Sequence, residues 1–141
     1  MPLASALISV AALVGVAVLV GVLWRVRDGR RRHGTGALDL AELGVRPGRV
    51  ALVQFTTETC ARCPQVRRML QGLASALAAV DLVEVDLTHR PDLARRHHVL
   101  STPTTFLVDA DATLFARFNG VPRRVDVEAA LSDLPALQET P

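Results

Sequence analysis

The sequence predicts an α/β protein in which a mixed sheet with helices on both faces follows a single transmembrane helix. Three observations lead to this prediction. Residues 3–24 carry no charge. Beyond them, short apolar runs typical of strands alternate with the three-and-four spacing typical of helices, in the order βαβα and then ββα. A Cys-x-x-Cys pair lies where the first of these strands gives way to a helix.

The first apolar segment, residues 3–24, is long enough to cross a bilayer. A helix of 22 uncharged residues spans roughly 30 Å of hydrocarbon. A buried core helix of this length would normally show one polar face. A cleaved signal peptide would show basic residues before the run and small residues at a cleavage site after it, and neither is present. We therefore predict an uncleaved transmembrane helix in contact with membrane lipid.

A basic segment follows the span. Five of the residues in 25–36 are Arg, and Gly34 and Gly36 close the segment, which predicts a basic flexible linker. Basic residues that flank a span are retained on the cytoplasmic side. The charge pattern thus predicts a single-pass protein of the cell membrane with its domain in the cytoplasm.

Residues 37–141 form the predicted domain. These 105 residues can bury a core without help from disulfides or metal. Their net charge is −2, whereas residues 1–36 carry +4, so the basic pI partly reflects the tail. A nucleic-acid-binding domain would carry clustered basic residues and preferably aromatic side chains, and this domain has neither Tyr nor Trp. Nucleic acid is therefore not an expected partner.

The domain is predicted to contain four strands and three main helices. A short helix or irregular segment is expected at Leu38–Leu43, before the turn at Pro47 and Gly48. Two apolar runs joined by a polar five-residue turn predict an antiparallel hairpin. The predicted strands are Val50–Phe55, Leu82–Leu87, Thr104–Val108 and Leu114–Phe118, and the helices cover Val66–Val80, Asp92–His98 and Val127–Leu134, the last ended by Pro135.

The chemistry of the domain is expected to lie in Cys60 and Cys63. At a helix N-terminus the unpaired N–H groups favour an anion, and thiolates placed there have a pKa lowered to about 3.5–7.5. Arg62 would add to this effect. Two intervening residues allow the second sulfur to reach the first, so Cys60 is the expected nucleophile and Cys63 the resolving residue. A purely structural pair is the plain alternative.

A metal site is a second alternative for the same cysteines. Cys60 and Cys63 together with His97 and His98 could bind zinc or copper, because thiolate and imidazole suit both ions. This alternative would make the chain a membrane-attached metal-binding module.

The order strand, Cys-x-x-Cys, long helix, strand, short helix and hairpin resembles the thioredoxin family. Pro103 lies 40 residues after Cys63, within Ser101-Thr102-Pro103-Thr104, at the start of an apolar strand. The resemblance covers roughly residues 50–134. It implies a thioredoxin-like fold and dithiol–disulfide exchange with protein thiols and disulfides, without a cofactor beyond the two sulfurs, served by an unidentified electron donor or acceptor.

The resemblance also implies a substrate site. In this family the matching proline is cis and faces the cysteine pair, and the backbone of the residue before it, here Thr102, hydrogen-bonds a substrate segment. Gly120 resembles the glycine turn near the family's substrate groove. Thr102, Pro103 and Gly120 are therefore the expected substrate-binding residues.

The chain departs from the common family pattern near the cysteines. Thr59 replaces the usual aromatic residue, and Ala61-Arg62 replaces the Gly-Pro dipeptide. Gln54 stands where many members place a buried carboxylate, and an amide cannot carry a proton to or from a thiolate. Arg62 and Gln54 are thus the residues expected to tune the pKa of the pair. The chain resembles the membrane-attached thioredoxin-like proteins of bacteria, whose domains often lie outside the membrane, opposite to the side that the charges predict.

Overall fold

The computed structural model of the protein describes residues 2–27, 31–33 and 37–138, with side chains for 4–24 and 37–138. In chain order its elements are α1 (Pro2–Arg27), β1 (Arg31–His33), α2 (Leu40–Leu43), β2 (Val50–Thr56), α3 (Cys63–Ala76), β3 (Val80–Asp86), α4 (Pro91–Arg96), β4 (Thr104–Val108), β5 (Leu114–Asn119), α5 (Arg124–Ser132) and α6 (Pro135–Gln138).

Helix α1 contains the apolar segment. Ala4–Trp24 has a mean hydropathy of 2.8, and none of it is buried against the other described residues. An apolar helix without a partner inside its own chain exposes far more hydrocarbon than water-soluble surfaces normally carry. By length and composition the helix is able to cross a membrane.

The domain is built on one sheet with the strand order β1-β5-β4-β2-β3. Strands β2 and β3 are parallel, and every other neighbouring pair is antiparallel. The parallel pair is joined through α3, as a crossover requires. The hairpin predicted from the two last apolar runs forms as β4 and β5. The predicted βαβα and ββα order is confirmed.

Helices cover both faces of this sheet, because successive residues of each strand point to opposite sides. On one face, Leu52 and Leu107 pack in a core with residues of α3 and α5. On the other, Val53 and Phe106 pack in a second core with residues of α2 and α4. Gln54, two residues after Leu52, shares the α3 face.

Strand β1 was not expected. Residues 25–36 are predicted to be a flexible linker, but α1 continues to Arg27 and Arg31–His33 pair with Phe118, Arg117 and Ala116 of β5. β1 forms through a tertiary contact, because the outer edge of β5 offers unpaired backbone groups with which any extended segment can form hydrogen bonds. Residues 28–30 and 34–36 of the predicted linker, and 139–141 of the predicted domain, lie outside the described residues.

The predicted helix over Val66–Val80 is too long at its C-terminal end. α3 stops at Ala76, Leu77 caps it in an extended conformation, and Val80 instead opens β3 opposite Val50. The spacing of Val80 from the other apolar residues fits both a helix and a strand, and pairing with β2 makes it part of a strand. Likewise Pro135 does not follow α5 directly but begins the short helix α6.

Candidate active site

The two cysteines lie at the start of α3, just beyond the end of β2. A turn from Thr57 to Arg62 connects the two elements, with the Cys60 N–H donating to the Thr57 carbonyl at 3.1 Å. Pro64 occupies the first turn of the helix, where its missing N–H leaves no intrahelical bond unmade. The pair is therefore held at the N-terminal end of α3, where the Cys63 N–H donates to the Cys60 carbonyl at 3.3 Å.

Cys60 and Cys63 form a disulfide with an S–S length of 2.04 Å and a Cα–Cα distance of 5.5 Å. Cys63 is buried, whereas Cys60 is partly exposed. An incoming reactant can thus reach the first sulfur more easily than the second. The exposure agrees with the roles expected of the two residues, which remain predictions.

Residues distant in sequence complete a groove beside Cys60. The Thr102–Pro103 peptide bond is cis. The Gly120 N–H donates to the Pro103 carbonyl at 2.8 Å, and Gly120 has φ of 77°, which glycine adopts without strain. The groove has a volume of about 430 Å³ and is lined by Thr57, Thr59, Cys60, Ala61, Arg62, Ser101, Thr102, Pro103 and Gly120. All three expected substrate-binding residues, and Arg62, are brought to Cys60.

Gln54 lies beneath the cysteine pair, on the side that faces the protein interior. Its side chain is fully buried, and Nε2 donates to the backbone carbonyl of Cys63 at 2.9 Å. Its cross-strand neighbour Thr105 is also fully buried and shares the α3 face. Gln54 therefore places a neutral hydrogen-bond donor beneath the cysteines, bonded to the backbone of Cys63.

A second groove runs along the other side of the pair, between α3 and β3. It has a volume of about 520 Å³ and is lined by Thr56, Thr57, Glu58, Cys60, Cys63, Pro64, Arg67, Arg68, Gln71 and Glu84. Arg67 and Glu84 form an ion pair across it, with Nε and Oε2 3.7 Å apart. Opposite charges in this groove largely offset one another, so it has no strong preference for an anion or a cation.

Two threonines that the sequence analysis did not single out, Thr57 and Thr88, shape the site. The hydroxyl groups of Thr57 and Thr102 are 3.2 Å apart, which joins the loop before Cys60 to the residue before Pro103. The Glu58 N–H donates to the Thr88 hydroxyl at 3.0 Å. The only sequence signal for either contact is a polar residue within two positions of the end of a predicted strand, and this signal is weak.

Asp86 supports this loop in turn. The Thr88 hydroxyl donates to its carboxylate at 2.6 Å and the Thr88 N–H at 2.8 Å, and these bonds, the hydroxyl bond first, lower the pKa of Asp86. Asp86, Thr88 and Glu58 thus form a chain of hydrogen bonds from the end of β3 to the cysteine loop. The Asp86 carboxylate thus accepts from the hydroxyl that in turn accepts the Glu58 N–H.

The histidines proposed for a metal site lie elsewhere. His97 packs with its ring centre 6.0 Å from that of Phe55, and its Nε2 is 3.5 Å from Oε2 of Glu42. Neither His97 nor His98 lines the two grooves at the cysteines. Among the described residues, no group of three or more His, Cys, Asp or Glu side chains is placed to hold a metal ion. The structure therefore does not join His97 and His98 to the pair, and the expected lack of a cofactor stays a prediction.

Comparison with known proteins assigns the domain. The thioredoxin family model matches residues 44–133, more than half of the chain. Mitochondrial thioredoxin 3 of Saccharomyces cerevisiae, in its oxidized form, is 25% identical with a TM-score of 0.55, over 63% of this chain and 81% of that one. A malarial protein is 25% identical with a TM-score of 0.55, over 62% of this chain and 98% of that one.

The fold extends to more distant structures. A thioredoxin from Fasciola hepatica is 20% identical with a TM-score of 0.54, over 66% of this chain and 85% of that one. No curated protein matches the chain in sequence. The family match, the neighbouring structures and the Cys60–Cys63 pair at the start of α3 agree. The chain belongs to the thioredoxin family and is a thioredoxin-like protein-disulfide oxidoreductase.

Proposed function

We propose that the chain is a membrane-tethered thiol–disulfide oxidoreductase in which Cys60 attacks a protein disulfide and Cys63 resolves the product. The single observation that carries this proposal is the placement of the pair: a partly exposed Cys60 and a buried Cys63 at the start of α3, with the Thr102–Pro103 bond lining the same groove as Cys60. A structural disulfide would need no such groove at its exposed sulfur.

The reaction balances with the two sulfurs alone. The Cys60 thiolate attacks one sulfur of the substrate disulfide, forming a mixed disulfide and releasing one substrate thiolate. The Cys63 thiolate then attacks the Cys60 sulfur, closing the intramolecular disulfide and releasing the second substrate thiolate. Two electrons and two protons pass from the chain to the substrate. A partner dithiol returns the pair to its reduced form, and the same steps in reverse oxidise a substrate.

The substrate segment lies, in this proposal, in the groove beside Thr102, Pro103 and Gly120. Thr102, which precedes the cis bond to Pro103, lies in the wall of this groove. Hydrogen bonds to the Thr102 backbone would hold an extended peptide in register with Cys60. Recognition through backbone groups suits substrates of varied sequence.

The tether is α1, which is proposed to cross the cell membrane once in contact with lipid. Its 21-residue apolar segment has no apolar partner within the described protein, and burial in hydrocarbon supplies one. The Arg residues after the span favour a domain on the cytoplasmic side. On that side the compartment keeps thiols reduced, which favours the reductase direction.

Reduction of insulin by the full-length protein in detergent, with dithiothreitol as electron donor, tests the proposal. We expect Cys60→Ser and the double Ser variant to lose all activity above the dithiothreitol background, since neither retains the nucleophile. Ala129→Ser, an exposed change on α5, is the matched control and should keep full activity. Equal activity of the parent and the double variant would refute the proposed function.

A further inference from the structure

The direction of each strand determines which end of the domain faces the anchor. β2 runs toward the cysteines, β4 starts beside Pro103 and runs away from them, and β5 returns to Gly120. β1 is antiparallel to β5, so it begins at the end that carries the cysteines. Its first residue, Arg31, pairs with Phe118, two residues before Gly120.

A second contact gives the same direction independently. Ala37 pairs with Thr113, and the Leu38 N–H donates to the Ala112 carbonyl at 3.0 Å, both at the turn between β4 and β5. This turn is at the opposite end of the sheet from the cysteines. The chain therefore comes from α1 to the redox end of the domain and then passes along β5 to the far end.

The connection between α1 and the domain is short. Arg27 ends the helix and Arg31 begins the strand, and four residue steps span at most about 14 Å. From Arg31, the two residue steps from Phe118 to Gly120 add about 7 Å along the sheet. A folded domain of 100 residues has a radius of gyration of about 13 Å, so it is wider than this connection is long.

We propose that the redox groove faces the membrane surface and that its substrates are disulfides in the membrane-proximal segments of other membrane proteins. This proposal rests on the membrane tether and the exchange reaction proposed above. Extended segments next to a span fit between the groove and the bilayer, whereas a bulky soluble domain does not. The tether then selects substrates by their distance from the bilayer.

Energy transfer to labelled lipid headgroups tests the orientation. Two labelled variants are compared in lipid nanodiscs. The first carries a donor dye on Cys60 of the Cys63→Ser variant. The second carries the same dye on the cysteine of Asp111→Cys, in a protein in which both native cysteines are changed to Ser. Asp111 is exposed in the turn at the far end of the sheet, about 17 Å or more beyond the redox end. We expect clearly stronger transfer from residue 60. Equal or stronger transfer from residue 111 would overturn the proposal.

Insertion variants test the selection of substrates. Ten Gly and Ser residues are inserted between residues 28 and 29, which lengthens the connection before β1. The matched control carries the same insertion between residues 35 and 36, after β1. The full-length proteins, reconstituted in vesicles, are assayed on insulin and on a single-span peptide whose disulfide lies within ten residues of its span.

The first insertion should raise the rate of insulin reduction several-fold and remove the preference for the membrane peptide, while the second leaves both unchanged. A parent protein that reduces insulin in vesicles as fast as the first variant does would overturn the proposal. Failure of all variants to reduce a small disulfide in detergent would instead refute the proposed function. The energy-transfer result stands in either case, because it requires no catalysis.

Discussion

Nε2 of Gln54 donates a 2.9 Å hydrogen bond to the backbone carbonyl of Cys63, the buried member of the cysteine pair. The amide is fully buried and sits beneath the start of α3. An amide holds this helix end in place without adding a titratable group under the sulfurs. The pH dependence of exchange should therefore have a simple form.

The first prediction concerns that form. In the parent protein, the rate of attack should follow a single ionisation, that of Cys60. Gln54→Asp should add a second pH-dependent step, because a buried carboxyl has a raised pKa and changes charge within the assay range. Rates of alkylation by iodoacetamide between pH 4 and 10 measure this.

Gln54→Asn is the matched control, because it shortens the side chain by the same amount and keeps the amide. It should retain the single step. Identical profiles for the Asp and Asn variants would show that residue 54 does not act on the sulfurs.

The second prediction concerns the hydroxyl contact between Thr57 and Thr102. Thr57→Val should remove this contact and loosen the residue before Pro103, while preserving the shape of the side chain. A lost hydrogen bond is worth about 1 kcal/mol, so kcat/KM for insulin should fall roughly fivefold. Thr57→Ser should retain most of the activity. Full activity of Thr57→Val together with a loss in Thr57→Ser would mean that the methyl group, not the hydroxyl, matters.

The third prediction concerns stability at low pH. Asp81 accepts hydrogen bonds from Arg49 and Arg46, and these, the Arg49 bond first, lower its pKa to about 2. Because the pKa in the folded protein lies below the usual 3.8, this contribution is complete above about pH 5 and is lost as the pH falls through 3.8 toward 2. After allowance for solvent screening, Asp81→Asn should cost about 1 kcal/mol at pH 7.

Thermal unfolding of the full-length protein in detergent, followed by circular dichroism at several pH values, measures this effect. The matched control is Glu128→Gln, which breaks the more exposed ion pair with Arg124. That change should alter stability by less than about 0.5 kcal/mol. If Asp81→Asn and the parent lose stability in parallel from pH 5 to 2, the assigned cause is wrong.

The fourth prediction is the cytoplasmic position of the domain. In intact cells, a membrane-impermeant maleimide should not label Cys60 of the Cys63→Ser variant until the membrane is opened. As the control, Pro2→Cys in the variant lacking both native cysteines should be labelled without permeabilisation. The reverse labelling pattern would place the domain outside and favour an oxidising or isomerising role.

The strands and helices of the domain could be predicted because their periodicity is local. Val50–Phe55 is an apolar run interrupted only by Gln54, which is typical of a strand covered on both faces, and the structure places it inside the sheet between β4 and β3. Strand β1 could not be predicted in the same way. Its sequence, Arg31-Arg32-His33, has no apolar alternation, and only the open edge of β5 makes it a strand.

The candidate site could be predicted where it follows a motif. Cys60, Cys63 and Pro103 carry spacing that is visible in one dimension. The contact between Thr57 and Thr102 joins residues 45 positions apart, and the identity of neither threonine predicts it. Long-range contacts between common polar residues therefore come only from the folded structure.

The role of Cys60 as nucleophile is tested most directly by the intact mass of the Cys63→Ser variant after incubation with a disulfide-bonded peptide. Without the resolving thiol, the mixed disulfide should accumulate, and the mass should rise by that of one peptide and fall back after reduction. The Cys60→Ser variant, whose remaining sulfur is buried, should show no such adduct under the same conditions. An adduct on Cys60→Ser but none on Cys63→Ser would contradict the assignment of the two cysteines.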